Sequence, residues 1–410
     1  MPVTKTKIAV AVAFALGFVG LGVGQLELTK RAEAAAAVQT KAPAFQVDPF
    51  WPKPLPNHWI LGNVIGVAVD QRDHIYIVHR TQDQMFRGAT EIGLKMGVSE
   101  CCTPAPPVIE FDPDGNMVKA WGGPGEGYTW PASNHGMEID SEGNVWIGGN
   151  GGSYGNAERK VDPEPWDSHI LKFTRDGKFL QQIGEPGKAR DSNSTTHFGQ
   201  VAEIAIDEKL NEAYVADGYG NKRVVVLDTK TGGFKRYWGA YGNKPVDEAV
   251  AYKPGTELPK QFRGPVHCAQ PSNDGLLYVC DRGADRIQVF TREGKFVKEK
   301  QIAPNTLAQG STWDVAFSKD PKQTYMYVVD GQNMKVWILE RESLEILTNF
   351  GDGGRQPGLW YAPHSIITDS KGNIYTTETY DGKRIQKFVY QGLKAIPKNG
   401  QGVAWPAKSL

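Results

Sequence analysis

The chain has 410 residues, of which 40% are hydrophobic, so it is long enough to bury a large core. Lysine and arginine together number 46, as do aspartate and glutamate, and the formal net charge is therefore zero. Because the chain has no long basic run either, we expect neither nucleic acid nor an anionic membrane surface to be a partner.

The first 37 residues have the features of an export signal. Lys5 and Lys7 precede an uncharged apolar run over residues 8–24, and small residues at 34–37 offer a cleavage site. The run is at the short limit for crossing a bilayer, so an uncleaved N-terminal membrane anchor is the alternative. In both cases the folded part lies outside the cytoplasm, and we expect a periplasmic or secreted protein.

Four cysteines suit an oxidising compartment. Cys268 and Cys280 flank a turn at 273–275 on adjacent predicted strands and could form a disulfide, whereas the sequence does not define the state of Cys101 and Cys102. The chain has no C-x-x-C motif, which argues against a zinc ribbon.

A similar pattern returns six times along the chain. Each copy has an alternating apolar strand that ends near an aspartate, a turn, and further short strands. The first strands of the copies begin near Gly66, Gly136, Glu203, Val266, Trp313 and His364. Asp-Gly and Gly-Asn turns between short strands indicate antiparallel hairpins, and four strands per repeat are typical of propeller blades. The sequence therefore predicts an all-β, six-bladed β-propeller rather than a β-sandwich or two domains.

The sixth copy lacks a clear fourth strand, and residues 44–51 form a predicted strand before the first blade. We expect this N-terminal strand to complete blade six, because such closure removes exposed sheet edges. The predicted organisation is an N-terminal segment over 38–59, the propeller over 60–393 and a C-terminal tail over 394–410.

Three long insertions interrupt the repeats. Residues 81–107 and 149–168 separate strand two from strand three in blades one and two, and residues 240–262 separate blade three from blade four. In an antiparallel blade the end of strand two and the start of strand one share a face. All three insertions should therefore project from one face and build a pocket there.

Histidine occupies one position of the repeat in every second blade. Five residues before the aspartate that closes strand one, the six copies have Ile65, His135, Ala202, His267, Trp313 and His364. Alternate blades lie ~120° apart, so the imidazoles should converge at the channel mouth. Three imidazoles with an open position are typical of catalytic zinc; the alternative is a set of polar residues lining a wet channel. For most of the remaining histidines we expect surface or loop roles: His58, His74, His79, His169 and His197.

Two more residues should lie on this face, each where a second strand ends. Arg80 follows strand two of blade one, and Tyr219 stands at the same place in blade three. An arginine there can bind a carboxylate through two hydrogen bonds, and a tyrosine beside a divalent cation can act as a base. The alternatives are a rim ion pair for Arg80 and a packed ring for Tyr219.

These motifs resemble a known family. The chain is similar to NHL-repeat propellers, and among them to peptidyl-α-hydroxyglycine α-amidating lyase, with the motif order preserved. The matching segments are residues 78–80, 134–136, 217–223, 266–267 and 362–364. The resemblance implies that His135, His267 and His364 hold zinc, that Arg80 binds the substrate carboxylate and that Tyr219 is the catalytic base. It further implies cleavage of a C-terminal α-hydroxyglycine, in a small molecule or peptide, to an amide and glyoxylate. We expect a monomer.

The chain departs from this family at identifiable positions. Ser365 stands where the family often has an aspartate that helps to hold a structural calcium ion, and Gly220 stands where a disulfide cysteine commonly follows the tyrosine. Two other functions stay open. One is a metal-dependent hydrolase of the lactonase type, although such sites favour oxygen ligands around calcium. The other is a non-catalytic NHL propeller that binds a protein or cell-envelope ligand.

Overall fold

The computed structural model describes residues 40–81, 101–151, 166–397 and 399–405. The predicted export segment lies outside these residues, as do the central parts of the two insertions that follow strand two in blades one and two. Within the described ranges, no helix combines the length and the apolar composition that a bilayer-spanning segment needs.

The described chain forms six four-stranded antiparallel sheets. The strands are, in chain order, β1 Thr40–Asp48, β2 Trp59–Ile60, β3 Val64–Val69, β4 Ile75–His79, β5 Thr103–Pro104, β6 Val108–Phe111, β7 Met117–Trp121, β8 Asn134–Ile139, β9 Val145–Gly149, β10 His169–Phe173, β11 Phe179–Gly184, β12 Val201–Asp207, β13 Glu212–Asp217, β14 Arg223–Asp228, β15 Phe234–Trp238, β16 Val266–Pro271, β17 Leu276–Asp281, β18 Arg286–Thr291, β19 Phe296–Gln301, β20 Asp314–Phe317, β21 Tyr325–Asp330, β22 Lys335–Glu340, β23 Ile346–Phe350, β24 Pro363–Thr368, β25 Ile374–Glu378 and β26 Arg384–Ile396. Two 3-10 helices cover Ala240–Gly242 and Arg282–Ala284.

The sheets are the blades of a closed propeller. Blades one to five are β3-β4-β6-β7, β8 to β11, β12 to β15, β16 to β19 and β20 to β23. The first strand of each blade is innermost and packs against the innermost strands of both neighbouring blades, with β24 against β3 completing the circle. The predicted six-bladed, all-β fold is confirmed.

The N-terminal strand closes the last blade. β1 pairs antiparallel with β26, from Thr40 opposite Ile396 to Asp48 opposite Lys387, and blade six is therefore β24-β25-β26-β1. This confirms the predicted closure, although the strand ends at Asp48 and not at residue 51. β26 also runs to Ile396, three residues past the predicted end of the propeller at 393.

Six apolar clusters hold adjacent blades together, one between each pair of neighbours. Because every sheet has a blade on each side, second strands such as β4 and β13 are buried along their whole length. Outer strands such as β15 keep partly exposed side chains. The blades are thus fixed relative to one another by packing, which gives the channel mouth a rigid wall.

The innermost strands carry a β-bulge near the position that the sequence singles out. In blades one, two, three, four and six the pairing register shifts within two or three residues of Ile65, His135, Ala202, His267 and His364, respectively. A bulge bends a strand and changes the direction of its side chains. The bulge therefore affects the direction of the side chain at this position, in the even blades that carry histidine and in blades one and three alike.

The disulfide that the sequence permits is present. Cys268 on β16 and Cys280 on β17 stand opposite each other and are bonded. Cys101 is joined to its neighbour Cys102. The Cys268–Cys280 bond ties the two inner strands of blade four together, directly after His267.

Candidate functional site

The three histidines of the repeat position lie together. His135 on β8, His267 on β16 and His364 on β24 have ring centroids 4.8 to 5.4 Å apart. One nitrogen of each ring lies within 4.8 Å of the corresponding nitrogens of the other two, and all three residues are buried. The arrangement is a histidine-rich candidate metal site.

The odd-numbered blades orient the histidines of the even-numbered ones. His135 Nδ1 lies 2.7 Å from the carbonyl oxygen of Ala202, and His267 Nδ1 is bonded to the carbonyl oxygen of Trp313. His364 Nδ1 lies 2.9 Å from Ser365 Oγ, which in turn donates to the carbonyl oxygen of Ile65. Since a carbonyl can only accept, Nδ1 of His135 and of His267 carries the proton and Nε2 presents a lone pair. Ligand histidines in metal sites are usually fixed in this way.

The histidines are neutral at neutral pH. Burial, followed by the nearby Arg80 guanidinium, holds the pKa of His135 well below its usual range. Burial and then Arg282 do the same to the pKa of His267, and burial followed by the other two imidazoles lowers the pKa of His364. A neutral imidazole is the form that binds a metal ion.

The Tyr219 hydroxyl points at the histidine cluster. Its oxygen lies 2.9 Å from His135 Nε2 and 3.0 Å from His267 Nε2, while its ring packs against the apolar cluster between blades three and four. The backbone fixes this position, because Tyr219 N donates to the carbonyl oxygen of Gln200. The ring is packed, as the alternative reading of the sequence has it, and its hydroxyl is nevertheless directed into the site.

Arg80 lines the same cavity. Its side chain donates to Asn150 Oδ1 at 2.9 Å and to the carbonyl oxygen of Asn134 at 3.3 Å. Among the described residues no carboxylate lies within ion-pair distance of Arg80. Asp167 lies farther away and accepts three backbone N–H groups, and burial raises its pKa to about 6.

Arg282 is a site residue that the sequence analysis missed. It donates to the Tyr219 hydroxyl at 3.2 Å and to Gln309 Oε1 at 2.9 Å, and its guanidinium carbon lies 4.5 Å from the centre of the Trp313 ring. It is buried, and its Nε has no hydrogen-bond partner among the residues that the structure describes. The signal was present in the sequence, because Arg282 directly follows strand two of blade four, as Arg80 follows strand two of blade one.

A cavity of about 710 Å³ is lined by five of these residues: Arg80, His135, Tyr219, Arg282 and His364. Loops before blade three, over residues 185–200, and before blade four, over 240–262, contribute Arg190 and Asp247 to its wall. The insertion at 240–262 therefore lies on the predicted face. A cavity of this volume suits a drug-sized ligand.

The remaining histidines lie away from this cavity. His58 is exposed in a turn, and His74 and His197 lie in loops. His79 and His169 are instead buried in strands, where His79 is bonded to Gly62 N and the carbonyl oxygen of Pro106. Burial lowers the pKa of His79 to about 4, so it is a neutral structural residue.

Comparison with known proteins places the fold and the site in context. No family model matches the chain. NHL repeat-containing protein 3 of Mus musculus is 26% identical over 365 residues, which are 85% of this chain and 84% of that protein. Peptidylglycine alpha-amidating monooxygenase of Rattus norvegicus is 26% identical over 78% of this chain, but the match spans only 30% of that protein's length.

A probable peptidyl-alpha-hydroxyglycine alpha-amidating lyase of Caenorhabditis elegans is 23% identical over 56% of each chain. The chain resembles an NHL-repeat propeller of the amidating-lyase type. Among solved structures, one of a streptogramin B lyase is 12% identical, has a TM-score of 0.46, and covers 85% of this chain and 98% of its own. The resemblance to the NHL propellers is distant in sequence but extends over most of the chain.

Proposed function

We propose that the protein is a zinc-dependent lyase that cleaves the C–N bond of an α-hydroxyglycine-type carbinolamide, giving an amide and glyoxylate. One observation carries the proposal. The Tyr219 hydroxyl lies within hydrogen-bond distance of two of three converging, neutral histidines, at the floor of a cavity lined by Arg80 and Arg282. The similarity to amidating enzymes supports the same reaction.

The histidine cluster fits a zinc ion. The donors are three neutral imidazoles whose Nδ1 atoms are engaged in hydrogen bonds, so their Nε2 atoms present lone pairs to the site. The Tyr219 hydroxyl lies against two of these Nε2 atoms, those of His135 and His267. An all-imidazole set suits a borderline metal better than calcium, which prefers oxygen ligands. Bound there, zinc would supply Lewis acidity toward a substrate oxygen.

A structural calcium ion has less support than zinc. Ser365, which replaces the family's aspartate, accepts from His364 and donates to the carbonyl oxygen of Ile65. The serine therefore orients the third histidine and brings no carboxylate. We propose no calcium at this position.

The chain's own groups account for the proton movements. Tyr219 removes the proton of the substrate hydroxyl, and the C–O bond becomes a carbonyl as the C–N bond breaks. Tyr219 then returns this proton to the leaving nitrogen, so that the products are a primary amide and glyoxylate and the base is regenerated. Arg282, which donates to the Tyr219 oxygen, stabilises negative charge there. Arg80 holds the substrate carboxylate and fixes the orientation of the reacting bond.

Metal content is the first test. Inductively coupled plasma mass spectrometry should find about one zinc per chain in the purified protein, as a three-histidine site binds one ion. The triple variant His135→Ala, His267→Ala, His364→Ala should contain none, and exposed His58→Ala should retain it. An absence of metal, even after zinc is added back, would favour a non-catalytic binding propeller.

Turnover is the second test. The zinc-loaded protein should release glyoxylate from α-hydroxyhippurate, and Tyr219→Phe should lower kcat by about 100-fold or more while the zinc content stays constant. Phenylalanine retains the ring packing and removes only the hydroxyl. Normal turnover by Tyr219→Phe would exclude the base role, and no glyoxylate from the wild type would exclude the reaction.

A further inference from the structure

The cavity above the histidines has an excess of positive charge that one substrate carboxylate does not account for. Five cationic side chains line it in the described part of the chain: Arg80, Arg190, Lys222, Arg263 and Arg282. The acidic lining residue is Asp247, whose Oδ1 accepts from the backbone N–H of Ser192. The wall therefore has a net positive charge before any metal ion is added.

These cations differ from the structural arginines of the same protein. Arg223 pairs with Asp217, Arg286 with Asp281 and Arg384 with Glu378, each within 3.0 Å. Within the described residues, none of the five cavity cations has a carboxylate at ion-pair distance. Cations that face a partly enclosed cavity and have no ion-pair partner create a positive potential there, which favours an anionic ligand.

The cations form an inner and an outer group. Arg80 and Arg282 lie at the floor, beside the histidines and Tyr219. The outer group belongs to the loops that build the wall. Arg190 lies in the loop before blade three, Lys222 directly before β14, and Arg263 just before β16.

Backbone groups hold two members of the outer group, Lys222 and Arg263, in place. Lys222 Nζ donates to the carbonyl oxygen of Glu248, and its backbone N–H donates to Ser192 Oγ, so this residue joins both wall loops. Arg263 donates from one guanidinium nitrogen to the carbonyl oxygen of Gly283 at 2.8 Å. Burial and then the neighbouring Arg190 lower the pKa of Lys222, and the more weakly acting charges of Asp247 and Glu248 oppose this shift.

We infer that Arg190, Lys222 and Arg263 form a second anion subsite, which binds a carboxylate on the residue that precedes the hydroxyglycine. The inference rests on the proposed function, because it names the substrate class of the same cavity. The cavity has room for this residue as well as the hydroxyglycine. Two arginines favour a carboxylate, whose two oxygens match the guanidinium fork.

Three acylated dipeptides that end in α-hydroxyglycine test the subsite, differing only in a glutamate, glutamine or lysine before it. With zinc-loaded full-length protein, kcat/KM for glyoxylate release should be about tenfold higher for glutamate than for glutamine, and lowest for lysine. The preference should shrink as salt is added, since the outer cations are partly solvated. Equal rates on the glutamate and glutamine substrates would overturn the subsite and leave the lyase intact.

Variants assign the preference to the named residues. The double variant Arg190→Gln, Arg263→Gln should lose most of the glutamate preference, and Arg190→Gln alone should lose part of it if the double variant does not fold. The matched control is Lys230→Gln, an exposed residue in the turn at the far end of β14, which should keep the wild-type preference. A preference unchanged in the folded arginine variants would also overturn the subsite.

A binding measurement distinguishes a failure of the anion subsite from a failure of the lyase reaction. Calorimetry with the same dipeptides ending in ordinary glycine measures the subsite without turnover. If no substrate releases glyoxylate, the lyase proposal fails. A tenfold tighter binding of the glutamate peptide, lost in the arginine variants, would then still support the anion subsite, and equal binding of all three peptides would contradict it.

Discussion

At the scale of single residues, the site depends on backbone groups from blades that contribute no ligand. The carbonyl oxygens of Ala202, Trp313 and, through Ser365, Ile65 fix the orientation of the histidines. All three carbonyls belong to the position that is occupied by histidine in the neighbouring blades. The geometry of the site is therefore set by how adjacent innermost strands pack, and a change in that packing should alter metal affinity.

Gly136 offers a test of this dependence. It has a φ of +67°, and a Cβ atom there would lie 2.6 Å from the carbonyl oxygen of Ala202, the group that orients His135. Gly136→Ala should weaken zinc affinity by about 10- to 100-fold in a chelator competition titration. Gly275→Ala is the matched control, because its φ is +84° but a Cβ there meets nothing within 4 Å. Equal zinc affinity in the two variants would show that the carbonyl contact does not matter.

The sequence reveals site residues where the repeat aligns them. The three histidines stand out because one blade position carries them in alternate copies. A second such position, directly after strand two, places Arg80, Asn150, Gly218, Arg282 and Thr379 around the cavity. Arg282 could have been found in this way. The approach of the Tyr219 hydroxyl to two imidazoles could not, because it depends on side-chain conformations and bulges that leave no periodic signal.

At the scale of elements, the closing strand joins the two ends of the propeller. Phe45 on β1 packs between blades five and six, with its ring 5.3 to 5.9 Å from the rings of Tyr327, Phe350 and Tyr390. Sequence reasoning found this strand but placed its end at residue 51. Trp51 lies past the turn after Asp48 and packs against Phe111 of blade one and Tyr375 of blade six. An apolar residue there therefore extends the strand-like pattern beyond the strand itself.

Phe45→Ala should therefore destabilise the whole ring. Phe45 is 7% exposed, and removing a buried phenylalanine side chain costs about 3–5 kcal/mol of unfolding free energy. The measurement is denaturant unfolding followed by tryptophan fluorescence. Phe50→Ala is the control, since Phe50 lies just beyond the strand and is 76% exposed, and its change should be within about 0.5 kcal/mol. A similar loss in both variants would argue against closure as the stabilising feature.

At the scale of the whole molecule, the channel beside the histidines contains buried acids. Glu138, Glu203 and Asp314 come from the innermost strands of blades two, three and five and line one narrow space with His267. Burial raises the pKa of Glu138 to about 8, although Lys319 opposes the shift. Burial also raises the pKa values of Glu203 and Asp314, and the charge of Asp314 further raises that of Glu203. The folded protein therefore keeps protons there that an unfolded chain, with carboxyl pKa values near 4, releases.

Stability should consequently fall as pH rises. In the unfolded chain these acids ionise near pH 4, whereas Glu138 in the folded protein ionises near pH 8. The free energy of unfolding therefore falls as pH rises from about 4, and the contribution of Glu138 to this fall ends above about pH 8. The buried histidines act in the opposite direction, but only below about pH 7, where an unfolded imidazole gains a proton.

Between pH 7 and 9, urea unfolding in the presence of a chelator should therefore show that the free energy of unfolding decreases by about 1 kcal/mol from Glu138 alone. Glu138→Gln should flatten this dependence, and exposed Glu126→Gln should not. If the wild type were equally stable at both pH values, the channel acids would have to be ionised in the folded protein at neutral pH, and a cation in the channel would then be needed to hold them.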